Sequence, residues 1–415
     1  MLQTATNNSP KPLKASLETG GQATQYKILF LISLVHLFND TIQAIVPAIL
    51  PILKSKMTLS YLQAGAIFFT LNMTSSLLQP VIGFYSDRRP VPYMLPVSMI
   101  CTFIGILGLA LSPNFYFTLL SVLFMGLGSA IFHPESSRVA FLAAGKRRGF
   151  AQSLFQVGGN LGQSFATIMT ILIFVPLGQI GALWFTIIIG IAIFIQFHIA
   201  GWYKDYLSQR SKMIKKSISQ QINPKKQKVI RCALILIVFL LFVRTWYHSA
   251  ISIYYPFELM DKFGLSLNQV QMYIFTFAVS GAIGTFFGGP LSDKYGRKTI
   301  LFLSMAGSIP FSLVLPFSDP FWAYIILLFN GFILMSGWSV TVVYAQELVP
   351  GKIGTVAGLT TGLSFGLGAV GAVALGGLID LYSLSAILKI VSFLPFIGLV
   401  TFFLPSDRKV KEWYS

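Results

Sequence analysis

Long apolar stretches recur along the whole chain, separated by short polar or basic turns. A helix that crosses a bilayer needs about 20 predominantly apolar residues, so this pattern predicts twelve membrane-spanning helices in two sets of six. The first set is predicted at residues 27–53, 61–85, 93–112, 115–141, 150–175 and 179–202. The second set is predicted at residues 229–257, 266–290, 299–317, 320–347, 353–379 and 384–404.

A polar segment with seven lysines and one arginine, residues 203–228, lies between the two sets and is predicted to be a linker. The N-terminal stretch is polar and lacks the short apolar core and cleavage site of a signal peptide, which favours a disordered cytosolic tail. The predicted organisation is a tail at 1–26, six-helix bundles at 27–202 and 229–405, the basic linker between them, and a second cytosolic tail at 406–415.

Composition and charge agree with a membrane protein. Of the 415 residues, 54% are hydrophobic and only 10% are charged, against about 25% charged in soluble domains. With the N-terminus inside, 24 of the 30 lysines and arginines fall on the cytosolic side, and only Lys54, Lys56 and Lys262 fall outside. The net charge of +17 is therefore a topological signal and does not indicate a nucleic-acid partner.

The two halves repeat at an offset of 206 residues. Gly83-Phe-Tyr-Ser-Asp87 after the second span matches Gly289-Pro-Leu-Ser-Asp293 after the eighth. Gly145-Lys146 after the fourth span matches Gly351-Lys352 after the tenth. Duplicated six-helix halves around a site near the midplane are typical of transporters, so we predict an all-α transport protein.

The stretch 129–163 carries charge inside the membrane. Glu135 and Arg138 are placed at i and i+3 on one helical face, and a buried carboxylate costs about 2.5–3.5 kcal/mol on insertion scales. The pair is either a substrate or proton site or a structural ion pair. A basic loop follows, and then a glycine-rich helix in which Gly158, Gly159 and Gly162 are predicted to allow close helix packing.

Other polar side chains lie inside the first and seventh spans. Asp40 lies mid-span with His36 one turn earlier, and both groups can exchange protons. The alternative for Asp40 is a structural role. Arg244 and His248 share one face of the seventh span, where Arg244 either binds an anion or extends toward the cytosolic face. No catalytic residue, metal site or cofactor is predicted, because His133-Pro134-Glu135 lacks the cysteine partners of a zinc enzyme.

The turn after the eighth span, Gly289 to Lys298, resembles the loop signature G-x-x-x-D-R/K-x-G-R-K of the major facilitator superfamily. The first copy keeps Gly83, Asp87 and Arg88 but has Arg89-Pro90-Val91 where the signature has G-R-K. The resemblance implies two six-helix bundles that rock about a central cavity. The implied cytosolic gating residues are Gly83, Asp87, Arg88, Asp293, Gly296 and Arg297.

Five further stretches resemble one branch of that superfamily, the fosmidomycin-resistance drug exporters. They start at His36, Ser75, Phe132, Ala151 and Tyr344, and the resemblance extends from about residue 27 to residue 405. It implies proton-coupled export of small anionic antibiotics. The fifth-span Gly-Pro of many antiporters is replaced by Gly159-Asn160, so antiport rests on the family resemblance.

These observations together predict a drug–proton antiporter in the bacterial cytoplasmic membrane, acting as a monomer with both termini cytosolic. Its partners are a small-molecule drug, protons and membrane lipids. Asp40 and Glu135 are the candidate proton-coupling groups, and His36, Arg138, Arg244 and His248 are the candidate substrate-binding groups. Two alternatives remain: an uptake symporter for an anionic metabolite on the same fold, and a non-transporting receptor or scaffold.

Overall fold

A computed structural model describes residues 23–59, 61–165, 169–214 and 224–413 of the chain. These residues are mostly helical and contain no strand, which confirms the predicted all-α class. Eleven of the described helical segments are long and apolar enough to cross a membrane. The predicted tails and linker lie partly outside the described residues, so their boundaries stay predictions.

The first half contains six helices, numbered here in chain order. They are α1 (Tyr26–Lys56), α2 (Tyr61–Arg88), α3 (Met94–Leu111), α4 (Phe115–Ala143), α5 (Arg148–Ser164) and α6 (Trp184–Ile214). The fifth predicted span differs from the others, because α5 has only 17 residues and residues 166–168 after it are not described. A π-helical turn, Thr170–Phe174, and a 3-10 turn, Gly178–Leu183, then lead to α6.

The second half repeats this order with more interruptions. Its members are α7 (Pro224–Ser249, continued by Ala250–Tyr254 and Tyr255–Phe263), α8 (Leu267–Tyr295), α9 (Arg297–Ala306, continued by Ser308–Val314), α10 (Pro320–Ser336 and Trp338–Leu348), α11 (Ile353–Leu381), α12 (Leu384–Val391, Leu394–Ile397 and Gly398–Phe403) and the short α13 (Asp407–Glu412).

Short polar side chains cap the N-termini of several helices. Asn114 accepts a hydrogen bond from the Phe117 amide at 3.0 Å at the start of α4, and Asp319 accepts one from the Trp322 amide at 3.0 Å at the start of α10. Ser266 and Gln269 form a capping box at the start of α8. These caps satisfy backbone amides that have no partner within the helix, so they define where each span begins.

Each half has its own apolar core. One cluster of buried side chains comes from α1 to α6, and a second comes from α7 onward. Large apolar side chains such as Phe194, Val373 and Phe403 are at least 77% exposed on the outer surface. Such exposure is expected where lipid replaces water as the solvent, so these side chains face the bilayer.

The halves meet mainly along two helix pairs, α2 with α11 and α5 with α8. Glycines make both contacts close: a Cβ on Gly83 would lie 2.2 Å from the Gly354 carbonyl oxygen, and one on Gly289 would lie 2.1 Å from the Gly149 carbonyl oxygen. These contacts lie at the end of the bundle that carries the basic turns around residues 89–93, 144–147 and 349–352. We call this the basic end; the charge distribution predicts that it is cytosolic.

Candidate functional site

A cluster of polar side chains surrounds Asp40 inside the first half. His36, one turn earlier on α1, places Nε2 3.5 Å from Asp40 Oδ2. His133 on α4 places Nε2 3.5 Å from Asp40 Oδ1. All three side chains are at most 4% exposed. We call His36, Asp40 and His133 the Asp40 cluster; it joins two helices that are far apart in sequence.

Two amides complete the surroundings of the carboxylate. Asn39 Nδ2 donates to Asp40 Oδ1 at 2.9 Å, and Gln163 Nε2 on α5 donates to Asp40 Oδ2 at 3.1 Å. The His36 ring stacks on Phe155 of α5 with centroids 4.0 Å apart. Each carboxylate oxygen therefore faces one imidazole nitrogen and one amide donor.

The predicted packing glycines lie where α5 crosses α1. A Cβ on Gly158 would lie 2.2 Å from the Ser33 carbonyl oxygen, and one on Gly162 would lie 2.3 Å from the Leu37 carbonyl oxygen. A Cβ on Gly159 would lie 2.5 Å from His36 Nε2 and 2.8 Å from Asp40 Oδ2. The glycines thus let α5 press against the Asp40 cluster, and no larger side chain fits there without a shift.

The Asp40 cluster could in principle hold a proton or a metal ion, because its three donor atoms lie within 4.8 Å of one another. A zinc site with three protein ligands keeps a water in its fourth position. Here both carboxylate oxygens already accept amide hydrogen bonds, and the three side chains are almost fully withdrawn from solvent. These features suit a proton better than an open metal site.

At the basic end, Asp87 of α2 binds the first turn of α11 in the other half. Its carboxylate accepts from the Gly354 amide at 2.9 Å and the Thr355 amide at 2.7 Å. It also pairs with the Arg138 guanidinium of α4. A carboxylate at a helix N-terminus satisfies free amides and interacts favourably with the helix dipole.

Asp293 of α8 makes the equivalent contact with the first half. It accepts from the Gly149 and Phe150 amides at the start of α5, each at 3.0 Å, and pairs with Arg297 at 2.8 Å. The name latch is used below for Asp87 and Asp293 together with the N-termini of α11 and α5, to which they bind. Because both latch contacts cross between the halves, the basic end is closed in this structure.

Arg138 supplies the arginine that the first copy of the loop signature lacks. The signature arginine is Arg297 in the second half, whereas Val91 stands at the equivalent position in the first. Arg138 reaches from α4 instead, donating to the Ser86 carbonyl oxygen and the Ser86 hydroxyl at 2.8 Å each. Glu135 Oε1 lies 3.6 Å from Arg138 Nη1, so the guanidinium is shared between two carboxylates.

The other predicted gating residues lie around the same closed end. Glu347 of α10 lies 3.3 Å from both Arg148 and Arg297. Gly296 has a positive φ of 96° in the tight turn between α8 and α9. Arg88 instead stacks over the Phe84 ring at 4.0 Å and makes no described contact with the latch.

The predicted anion-binding arginines do not meet. Arg244 is fully buried between α7, α9 and α10, where it donates to Ser304 at 2.8 Å and Thr341 at 3.0 Å. Arg138 and Arg244 share no described partner, so the binding of one anion by both arginines, a two-arginine clamp, stays a prediction. His248 is half-buried, with its ring centroid 5.4 Å from that of Phe277.

Comparison with known proteins assigns the chain to a family. The model of the Major Facilitator Superfamily matches residues 29–361 and again residues 234–414. The chain belongs to the major facilitator superfamily. It is therefore a multi-pass membrane transporter of small molecules and not an enzyme, as the sequence predicted.

Two curated relatives match this facilitator over almost its full length. It is 51% identical over 97% of its chain to the "Uncharacterized MFS-type transporter YfnC" of Bacillus subtilis (strain 168), covering 99% of that protein. It is 42% identical over 97% of its chain to the "Fosmidomycin resistance protein" of Escherichia coli (strain K12), again covering 99% of it. The predicted resemblance to the fosmidomycin-resistance branch is confirmed.

Solved structures confirm the fold of this facilitator. The E. coli fucose:proton symporter FucP superposes with a TM-score of 0.71 at 13% identity, over 92% of this chain and 98% of that chain. The proton:xylose symporter XylE superposes with a TM-score of 0.70 at 14% identity, over 94% and 99% of the two chains. At such low identity the likeness concerns architecture alone.

Sequence reasoning missed two features of the facilitator. His133 was considered only as part of a metal-like string, yet it completes the Asp40 cluster. A line of polar contacts also joins the halves: Ser137 donates to Gln152 and accepts from Gln346 at 3.2 Å each, and Ser153 contacts Ser339 at 2.7 Å. The signal was available, because most of these residues lie in the strings that carry the family resemblance.

Proposed function

We propose that this facilitator exports small anionic antibiotics of the fosmidomycin type in exchange for protons, by alternating access in the bacterial cytoplasmic membrane. The observation that carries the proposal is the 42% identity to a "Fosmidomycin resistance protein" over 97% of the chain. Full-length similarity of this kind supports a shared substrate class, because both halves contribute to a transporter's central site.

Proton coupling is supported by the Asp40 cluster. Ionisable groups inside a membrane are expensive and mark ion or proton pathways. Asp40 and two imidazoles lie within contact distance, buried and away from the ion pairs of the latch. We assign the main proton site to this cluster. Glu135, whose nearest described charged partner is Arg138 at 3.6 Å, is a second candidate.

Anion binding is assigned to Arg138 rather than to a two-arginine clamp. In the closed arrangement Arg138 is held by Asp87 and Ser86. Opening of the basic end separates Asp87 from α11 and lets its contact with Arg138 loosen. A phosphonate can then compete for the guanidinium, since Arg binds such groups through paired donors. His36, His248 and Arg244 remain candidate contributors to binding.

A susceptibility panel tests export directly. Expressed in a bacterial host that lacks its own efflux pumps, the intact protein should raise resistance to fosmidomycin several-fold, because export lowers the internal drug concentration. A protonophore should remove that resistance if export uses the proton gradient. Vector-only cells are the control. Unchanged susceptibility to every anionic antibiotic tested, with the protein present in the membrane, would rule out drug export.

One observation favours an uptake symporter for an anionic metabolite as the second candidate. Glu135 and an incoming anion would share Arg138, so anion binding would leave Glu135 uncompensated and ready to take a proton. The pH dependence of binding separates the two functions. In an antiporter the proton and the drug compete, so we expect fosmidomycin binding to the purified protein to weaken as pH falls. Binding that strengthens at low pH indicates symport.

A further inference from the structure

The two histidines of the Asp40 cluster have fixed ring orientations. His36 Nδ1 lies 2.6 Å from the Phe155 carbonyl oxygen, and His133 Nδ1 lies 2.9 Å from the Ser129 carbonyl oxygen. A carbonyl oxygen only accepts hydrogen bonds, so His36 Nδ1 must carry the hydrogen. His133 Nδ1 also lies 3.2 Å from Ser129 Oγ, but the closer carbonyl oxygen favours a hydrogen on this nitrogen as well. In its neutral form each ring therefore turns an unprotonated Nε2 toward Asp40.

This arrangement is unfavourable unless it holds a proton. With both rings neutral and Asp40 ionised, two nitrogen lone pairs face the carboxylate oxygens at 3.5 Å, and the cluster carries one uncompensated negative charge. Adding one proton makes the cluster neutral and turns one facing pair into a charge-assisted hydrogen bond. In a low-dielectric interior the neutral state is strongly preferred over a lone charge.

The amide contacts indicate which group holds that proton. Asn39 donates to one carboxylate oxygen at 2.9 Å and Gln163 donates to the other at 3.1 Å. Both amides stabilise a negative carboxylate more than a protonated one, because protonation turns one of the two acceptor oxygens into a donor. The Nε2 atoms, in contrast, have their lone pairs directed at the anion. A proton on either imidazole is therefore better placed than a proton on Asp40.

We infer that the exchanged proton is carried by His36 and His133 together, with Asp40 as the permanent anion between them. The inference rests on the proposed proton-coupled export and names the groups that perform it. It assigns His133 a coupling role that the sequence did not indicate. It also changes the role of Asp40 from proton carrier to counter-ion.

The groups described as packing against the Asp40 cluster from α4 and α5 are uncharged. From α5 it is packed by Phe155, Gly159 and Gln163, and from α4 by Phe132 beside His133. The next charged groups on α4 are Glu135 and Arg138, whose described partners lie toward α2 and α6. The pH response of the cluster therefore belongs to His36, Asp40 and His133.

Helix α5 connects the Asp40 cluster to the latch. Its first amides, at Gly149 and Phe150, bind Asp293 of the other half. One to two turns later the Phe155 carbonyl oxygen holds His36 Nδ1. A displacement of α5 when the latch opens moves this carbonyl relative to the ring. Proton occupancy of the cluster and closure of the basic end are thus linked through one helix.

The test measures proton release when fosmidomycin is added to the purified protein in weakly buffered detergent, together with the pH profile of drug binding. Wild type should release protons. The double variant His36→Gln/His133→Gln should lose both the release and the pH dependence, and each single variant should shift the profile midpoint by about one pH unit. His198→Gln, on the exposed face of α6, is the matched control and should behave as wild type.

The same measurements in other variants could contradict the inference. Wild-type proton release in the double histidine variant, combined with loss in Asp40→Asn, would make Asp40 the carrier. Loss of pH dependence in Glu135→Gln, with the double histidine variant unaffected, would move the site to Glu135. Drug binding without proton release or pH dependence in wild type would instead refute the proposed coupling itself, and the inference with it.

Infrared difference spectra of the wild-type protein provide a test that needs no variant. Acidification over the range in which drug binding weakens should produce imidazolium bands and no band of a buried protonated carboxyl group. A protonated carboxyl band that disappears in Asp40→Asn would overturn the assignment. An unchanged melting temperature in detergent verifies that each variant is folded.

Discussion

Replacement of Asp40 with Asn should abolish drug export against a gradient and leave drug binding largely intact. Asn preserves the size of the side chain but removes the anion that holds a proton on the neighbouring imidazoles. With no coupling free energy, the steady-state drug ratio across a proteoliposome membrane should fall to about 1 at any imposed pH gradient. Drug accumulation driven by that gradient is the measurement.

The matched control is Asp261→Asn, at an exposed position near the end of the α7 continuation, which should transport as wild type does. Facilitated exchange of labelled for unlabelled drug should persist in Asp40→Asn, because exchange needs binding and rocking but no net proton flow. Uphill export by Asp40→Asn at the wild-type rate would remove the Asp40 cluster from the coupling mechanism.

Replacement of Gly289 with Ala should prevent closure of the basic end. The added Cβ would lie 2.1 Å from the Gly149 carbonyl oxygen and 2.2 Å from Ser153 Oγ, and neither backbone can retreat without parting α5 from α8. Overpacking of this kind costs about 1–3 kcal/mol. Because the cost falls on the closed state alone, the ratio of closed to open molecules should fall by about 5–150-fold.

Accessibility measures this shift. A single cysteine in the latch region, labelled from the basic end with a membrane-impermeant reagent, should react faster in Gly289→Ala, and transport turnover should fall. Gly377→Ala in α11 is the control, because a Cβ there would meet no atom within 4 Å.

Asp293→Asn should also increase the labelling rate, because it weakens the latch without adding volume. Equal labelling rates in all variants would contradict the closed assignment.

Some parts of the site could be predicted from local spacing. The i, i+4 pair His36–Asp40 and the i, i+3 pair Glu135–Arg138 both lie within 3.6 Å, because a helix places such positions on one face. The position of the loop aspartates beside the basic turns was likewise visible in the sequence, and the structure shows that their carboxylates accept from free helix amides. Those amides belong to helices of the opposite half.

The partners of the arginines could not be predicted in this way. Both Arg138 and Arg244 are candidate substrate-binding groups, but in this structure Arg138 pairs with Asp87 and Arg244 binds Ser304 and Thr341 inside its own half. An arginine side chain is long and its head can reach several neighbouring helices. The rotation of each helix about its own axis, which spacing along one helix does not report, decides which neighbour is reached.

The sequence by itself determined the span pattern, the duplication and the family. Twenty apolar residues cross a bilayer in almost any context, and the 206-residue offset is visible without a structure. Only the tertiary structure decided that His133 completes the Asp40 cluster and that the basic end is closed. Both depend on contacts between positions about 90 to 270 residues apart, as between His133 and Asp40 or Asp87 and Thr355. Such contacts are fixed by how helices pack against one another, and no local pattern of hydrophobicity or charge encodes them.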